Sequence, residues 1–259
     1  MQFTDADLTS WVALYLWPLF RIAALISVAP IFGAQNVPIR IRVGLSLAIT
    51  MVIAPALPPM PTVDPISSTG FIILMQQILI GLIMGFTLRL VFAAFVLAGQ
   101  LIGQTMGLGF ASMVDPQHGV QVPVVSQFYL ILVTLLFLAL NGHLILLEVL
   151  AGSFKSLPVG EHGITTHGLW SVVMWGGQVF SGAVLVSLPA MTALLVVNVA
   201  FGVMTRAAPQ LNIFSIGFPV MIFLGLVIML MSLPVLLPQL TYMVNDAFTL
   251  IQEQIITSK

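Results

Sequence analysis

Residues 71–106 form an apolar stretch that carries one ionisable side chain, Arg89. As a single helix it would reach about 54 Å at about 1.5 Å per residue. The hydrocarbon of a bilayer is only about 30 Å thick and is crossed by roughly 20 helical residues. A second stretch, residues 169–204, is as long and has no charge at all. Such segments either break or overhang the membrane and finish their burial against other protein. The chain therefore reads as one part of a larger apolar assembly.

Composition leaves little room for a soluble alternative. Of 259 residues, 59% are hydrophobic and 6% charged, against about 25% charged in soluble domains. A net charge of -1 excludes a broad basic face for nucleic acid. Cysteine is absent, so disulfides and thiolate metal sites are excluded. Asp5 and Asp7 stand where a cleavable signal would carry Lys or Arg, so the first apolar helix is expected to stay and serve as its own targeting signal.

Six apolar stretches can be marked, at residues 11–32, 43–57, 70–106, 124–150, 169–204 and 213–240. Backbone groups in lipid need internal partners, and these runs lack the alternation of a barrel. The expected fold is an all-α membrane protein. Arg40, Arg42 and Arg206 fall on one set of loops and Lys155 and Lys259 on the other, which leans both termini away from the cytoplasm. Pro18, Pro30, Pro55, Pro189, Pro219 and Pro234 lie in or beside the runs, and each tends to kink a helix. Gly81 and Gly85 form one GxxxG step, and Gly99, Gly103 and Gly107 form two more, a spacing that lets backbones approach closely.

Catalytic patterns are missing. Ser153 and Ser181 lack a GxSxG setting, and no HExxH occurs. Glu161, His162 and His167 share a loop at a spacing poor for one helical face, and His143 reads as an interfacial group. Enzymatic activity and cofactors are not expected. Ionisable and amide side chains inside apolar runs usually face protein or a water path, because a mid-bilayer charge costs about 3 kcal/mol. Arg89, Gln100, Gln104, Glu148 and Asn198 are therefore read as buried polar or inter-subunit contacts, with Glu148 or Asp115 as partners for Arg89. A small-solute transporter could use such groups, and an intramembrane hydrolase is disfavoured. The overlong runs favour a multi-subunit channel.

Residues 107–123 are neither helix-like nor properly polar. Phe110, Met113 and Val114 sit on a backbone punctuated by Gly107, Gly109 and Gly119, with Asp115 and Pro116 starting a turn. Irregular backbone at membrane depth is tolerated only when buried in protein or lining a cavity. Large flexible apolar side chains there suit a plug, since Met-rich surfaces adapt to varied partners. A packing loop without a gating role remains open from the residues alone.

Gln104-Thr-Met-Gly-Leu-Gly-Phe-Ala-Ser-Met-Val-Asp-Pro116 resembles a signature of the FliR family of flagellar biosynthetic proteins. So do Ala139-Leu-Asn-Gly-His143, Leu188-Pro-Ala-Met191, Arg206-Ala-Ala-Pro-Gln-Leu-Asn212 running on to Pro219, and Arg21 with Pro30. The resemblance spans essentially the whole chain, and it implies an export gate in the inner membrane at the flagellar basal body. Long, kinked helical hairpins would pack into a helical hetero-oligomeric ring with FliP and FliQ. FlhB and FlhA type components would associate with it, and unfolded flagellar subunits would pass through.

The resemblance also implies an internal division. Residues 1–168 would be FliP-like, with a re-entrant plug loop at 106–123, and residues 169–259 a FliQ-like hairpin and tail. Gly107, Gly109, Phe110, Met113, Val114, Asp115 and Pro116 would form the plug, and Arg206, Gln210 and Asn212 a cytoplasmic turn. Membrane lipid is a further partner and nucleic acid is not. The alternative within the same architecture is the T-type subunit of an injectisome.

Overall fold

A computed structural model describes residues 5–34, 36–109, 124–160, 163–207 and 217–256. Every regular element among them is helical, as the sequence predicts. In chain order they are α1 (Asp5–Val28), α2 (Ile39–Ile53, continued by a 3-10 turn Ala54–Ala56), α3 (Ser68–Thr105) and α4 (Val124–Ala139). Then come α5 (Gly142–Ser156), α6 (Thr166–Trp175), α7 (Gln178–Ala207), α8 (Phe218–Ser232) and α9 (Leu236–Thr249, continued by a π-helical turn Leu250–Ile256). Four segments are long and apolar enough to cross a membrane, and five if the bent pair α4–α5 counts as one. Residues 13–28 of the first expected stretch form a shorter apolar helix.

Of the two overlong runs, 71–106 stays one helix, whereas 169–204 is interrupted at Gly176 and Gly177 between α6 and α7. Helix α3 is continuous over 38 residues, about 57 Å at the helical rise. It manages that length because 56% of its most apolar part is buried inside this chain. The stretch 124–150 does break: α4 and α5 meet at 65°, around Asn141 in the left-handed conformation at φ 56. Asn is one of the few residues that tolerate that conformation. Pro18 and Pro189 sit inside α1 and α7 without ending them, whereas Pro55 and Pro234 fall in 3-10 turns.

The chain divides into two compact units. The first comprises Met1–Leu90, Leu138–Gly176 and Val244–Lys259. Its buried side chains include Trp17, Ile22, Leu25 and Ile26 of α1, Ile73, Ile80, Met84 and Leu88 of α3, and Leu146, Leu150 and Phe154 of α5, with Trp17 and Ile73 in one cluster. The first glycine pair behaves as its spacing predicts. A Cβ on Gly81 would collide with the carbonyl oxygen of Arg21, and one on Gly85 would lie 2.9 Å from that of Leu25. Only hydrogen at these two positions lets α1 and α3 cross this closely. Trp175 Nε1 at the end of α6 donates to Asp246 Oδ2 of α9 over 2.6 Å, so the chain's last helix is tied down here.

The second unit comprises Val91–Phe137 and Gly177–Met243. Phe92 of α3 meets Phe137 of α4 edge to face at 5.5 Å. Gly99 lies against the backbone of Ser126, where a Cβ would sit 2.6 Å from the Ser126 Cα. Helix α7 buries Gly182, Ala183, Val186, Ser187, Ala190 and Leu194, a stripe at helical spacing. Leu195, Val196, Val199, Val203 and Met204 beyond it are exposed.

Candidate functional site

Arg21 is the most deeply buried charge among the described residues, and it lies one turn beyond Trp17 on the inner face of α1. Its guanidinium fork is shared by three segments. Nε donates to Oε1 of Gln77 on α3 over 2.8 Å, and Nη1 donates to Oγ of Ser153 on α5 over 3.0 Å. Nη2 donates to the carbonyl of Leu157, just past the end of α5, also over 3.0 Å. The guanidinium carbon stands 4.2 Å from the centre of the Phe154 ring, within cation–π range.

These hydrogen-bond partners are all uncharged, so the cation is held by oriented dipoles. The Leu157 carbonyl contributes the negative end of a helix, where a positive charge is favoured. A planar fork suits this arrangement in a way a lysine point charge does not.

In the second unit, the end of α3 is built to launch the segment that follows it. Leu108 N donates to Gly103 O and Gly107 N to Gln104 O, both at 3.0 Å. Together these make a Schellman turn, with Gly107 as its left-handed residue at φ +83. Two neighbours brace this turn. Asn198 of α7 donates its Nδ2 to the carbonyl of Thr105 over 3.3 Å, satisfying one of the orphan acceptors of a helix end. Met106 lies against Gly225 of α8, where a Cβ would be 2.6 Å from the methionine Cε, and the Phe218 ring lies beside Gly107. The root of residues 110–123 is thereby fixed.

The residues expected from sequence fall into three groups. Gly107 and Gly109 lie at this root, Gly109 beside the Gln104 side chain. Phe110, Met113, Val114, Asp115 and Pro116 lie outside the described residues, as do Gln210 and Asn212. Arg89, Gln100, Gln104, Glu148 and Arg206 are exposed on the chain, and so is Asn198 apart from its bond to Thr105. The pairing of Arg89 with Glu148 is corrected: both stand exposed, and no ion pair joins them.

Sequence reasoning singled out Arg89 as the intramembrane charge and named Arg21 only within the family resemblance, yet the structure buries Arg21 completely. The same signal was present for both. Arg21 is the one charged residue between positions 11 and 32, exactly as isolated in its run as Arg89 is. Met106, Phe218 and Gly225 had no such signal, because apolar residues in apolar runs look alike.

Comparison with known proteins fits this arrangement to a family. Residues 12–247 match the model for bacterial export proteins, family 1. The chain is 39% identical over 253 residues to the flagellar biosynthetic protein FliR of Pectobacterium carotovorum subsp. carotovorum, covering 98% of this chain and 97% of that one. The Escherichia coli K12 protein of the same name is also 39% identical over 253 residues, with the same coverage. That of Aquifex aeolicus is 30% identical over 233 residues, 88% of each chain.

Proposed function

Since this chain belongs to the bacterial export proteins, family 1, we propose that it is a non-enzymatic structural and gating subunit within the flagellar export apparatus. Relatives named for flagellar biosynthesis match it along nearly their whole length, which favours a flagellar over an injectisome role. Its apolar helices suit a membrane-embedded component, and the inner membrane at the flagellar base is the membrane that this role requires. FliP, FliQ, FlhB and FlhA type proteins are the partners, and unfolded flagellar subunits are the cargo. The two-part division at about residue 168 belongs to the same proposal.

The observation that carries the gating role is the braced end of α3. A rigid Schellman turn, held by Asn198, Met106 and Phe218, feeds directly into residues 110–123, whose Phe110, Met113 and Val114 supply apolar bulk. A stopper needs a fixed hinge point and adaptable side chains; the turn at Gly107 supports the first, and the residue types of this segment support the second. Outward polar groups support the assembly role. Arg89, Gln100 and Gln104 on α3 would be costly against lipid, whereas neighbouring subunits can hydrogen-bond them.

Deleting residues 109–117 in the complete apparatus tests the reading. Resting membranes should then leak ions while the complex still assembles. Unchanged conductance would remove the plug assignment. A small-solute transporter would instead show saturable uptake by the purified chain alone.

A further inference from the structure

Helix α2 is built inside out. Its buried positions are Ser46 and Thr50, followed by Ala54 in the turn beyond, a small residue every fourth position that lets it pack on α1. Both hydroxyls are occupied within the helix: Ser46 Oγ donates to Arg42 O over 2.8 Å and Thr50 Oγ1 to Ser46 O over 2.7 Å. The outward face carries Val43, Leu47, Met51 and Val52, exposed by 52%, 40%, 65% and 80%. Between Arg42 and Pro58 no polar side chain points outward.

Two comparisons within the molecule bear on what covers this face. The apolar helical segment Ile39–Ala56 is 18 residues long, about 27 Å, which matches one hydrocarbon thickness of about 30 Å. The other three spanning segments have 38, 42 and 36 residues and exceed it. Moreover, α3 and α7 expose Arg89, Gln100, Gln104, Thr192 and Asn198, groups that call for protein or water, whereas α2, like the α8 part of a longer segment, exposes none between its ends. It is also the least buried of the four segments, at 17%. Basic residues mark one end, with Arg40 exposed in the first turn, and prolines 58, 59 and 61 mark the other.

We propose that the outer face of α2 is a lipid contact of this chain, spanning one bilayer, with Arg40 pairing to a phospholipid phosphate at the interface. Phosphate and guanidinium suit each other as a charge-assisted, bidentate pair, and an arginine at a span's end normally reaches the headgroup level. The inference needs only membrane residence. It does not depend on residues 110–123 closing a conduit, so the leak experiment and this one can fail separately.

The chain has no cysteine, so single spin labels can be placed at Val43, Leu47 and Met51. They are read in the complete export complex, in nanodiscs of phosphatidylethanolamine and phosphatidylglycerol. All three should collide freely with oxygen and poorly with a water-soluble nickel chelate, while a label at Thr50 is shielded from both. Shielding of all four sites would mean a neighbouring subunit covers the face, and strong nickel collisions at the first three would mean water does; either result overturns the proposal. Should labels hinder assembly, a photo-crosslinking residue at Val52 should yield lipid adducts, and protein adducts alone would overturn it. Arg40→Gln should shift the Val43 label's immersion depth, and an unmoved label would remove the phosphate contact.

Discussion

Arg21 and Gln77 are fifty-six positions apart in the sequence and share a fully buried hydrogen bond of 2.8 Å from Nε to Oε1. The bond sits one helical turn from the Gly81 contact that brings α1 and α3 together. Close backbone approach and polar fixation therefore occur at the same crossing. The glycines allow the helices to meet, and the guanidinium fixes their register by gripping α3 and the end of α5 at once.

Arg21→Met should lower the melting temperature and yield of the purified complex. It strands the acceptors on Gln77 and Leu157, at about 1–3 kcal/mol for each one left unsatisfied. Arg21→Lys should rescue only partly, because an ammonium cannot reach three acceptors with a planar fork. Adding Gln77→Met to Arg21→Met should recover part of the loss, since replacing both partners of a buried polar pair is far milder than removing one. Equal stability of Arg21→Met and wild type would dismiss this junction as a structural fixture.

Gly81→Leu should prevent correct α1–α3 docking, since its Cβ falls on the Arg21 carbonyl, and overpacking costs about 1–3 kcal/mol. Gly152→Ala, with nothing within 4 Å of its new methyl, should leave complex yield unchanged. Densitometry of the affinity-purified complex compares the two.

Gly107→Val should leave assembly nearly intact but raise resting ion leakage. A branched residue at φ +83 strains the Schellman turn by about 1–2 kcal/mol and displaces the root of the following segment. Conductance of resting membranes at matched expression is the measurement. Normal conductance with a normal yield would detach this turn from gating.

Arg89→Leu should impair complex assembly more than later transport. The side chain is exposed on this chain, so its loss leaves the chain's own packing alone and shows where a neighbour is needed. Normal complex yield with lost secretion would reverse that ranking.

The sequence made several features legible for specific reasons. Gly81 and Gly85 announced a close crossing because a four-residue step places both on one helical face. Gly107 announced a helix end because it stands where the apolar run gives way to irregular chain. The break at Asn141 was not legible, since the apolar run 124–150 continues through it and only the backbone geometry reveals the turn. Arg21 was legible by the rule applied to Arg89, as the one charge in its apolar run. Length indicates that a charge needs a partner but does not say which charge its own chain can satisfy.

By itself the sequence determined that this chain is helical, membrane-embedded and in part too long for lipid alone, because composition and run length depend on no neighbour. Tertiary structure alone decided which arginine is enclosed, which helix turns its hydroxyls inward, and which residues brace the end of α3. The reason is physical. Helices apolar on every side carry almost no directional signal, so the face each one buries is chosen only when another helix arrives to cover it.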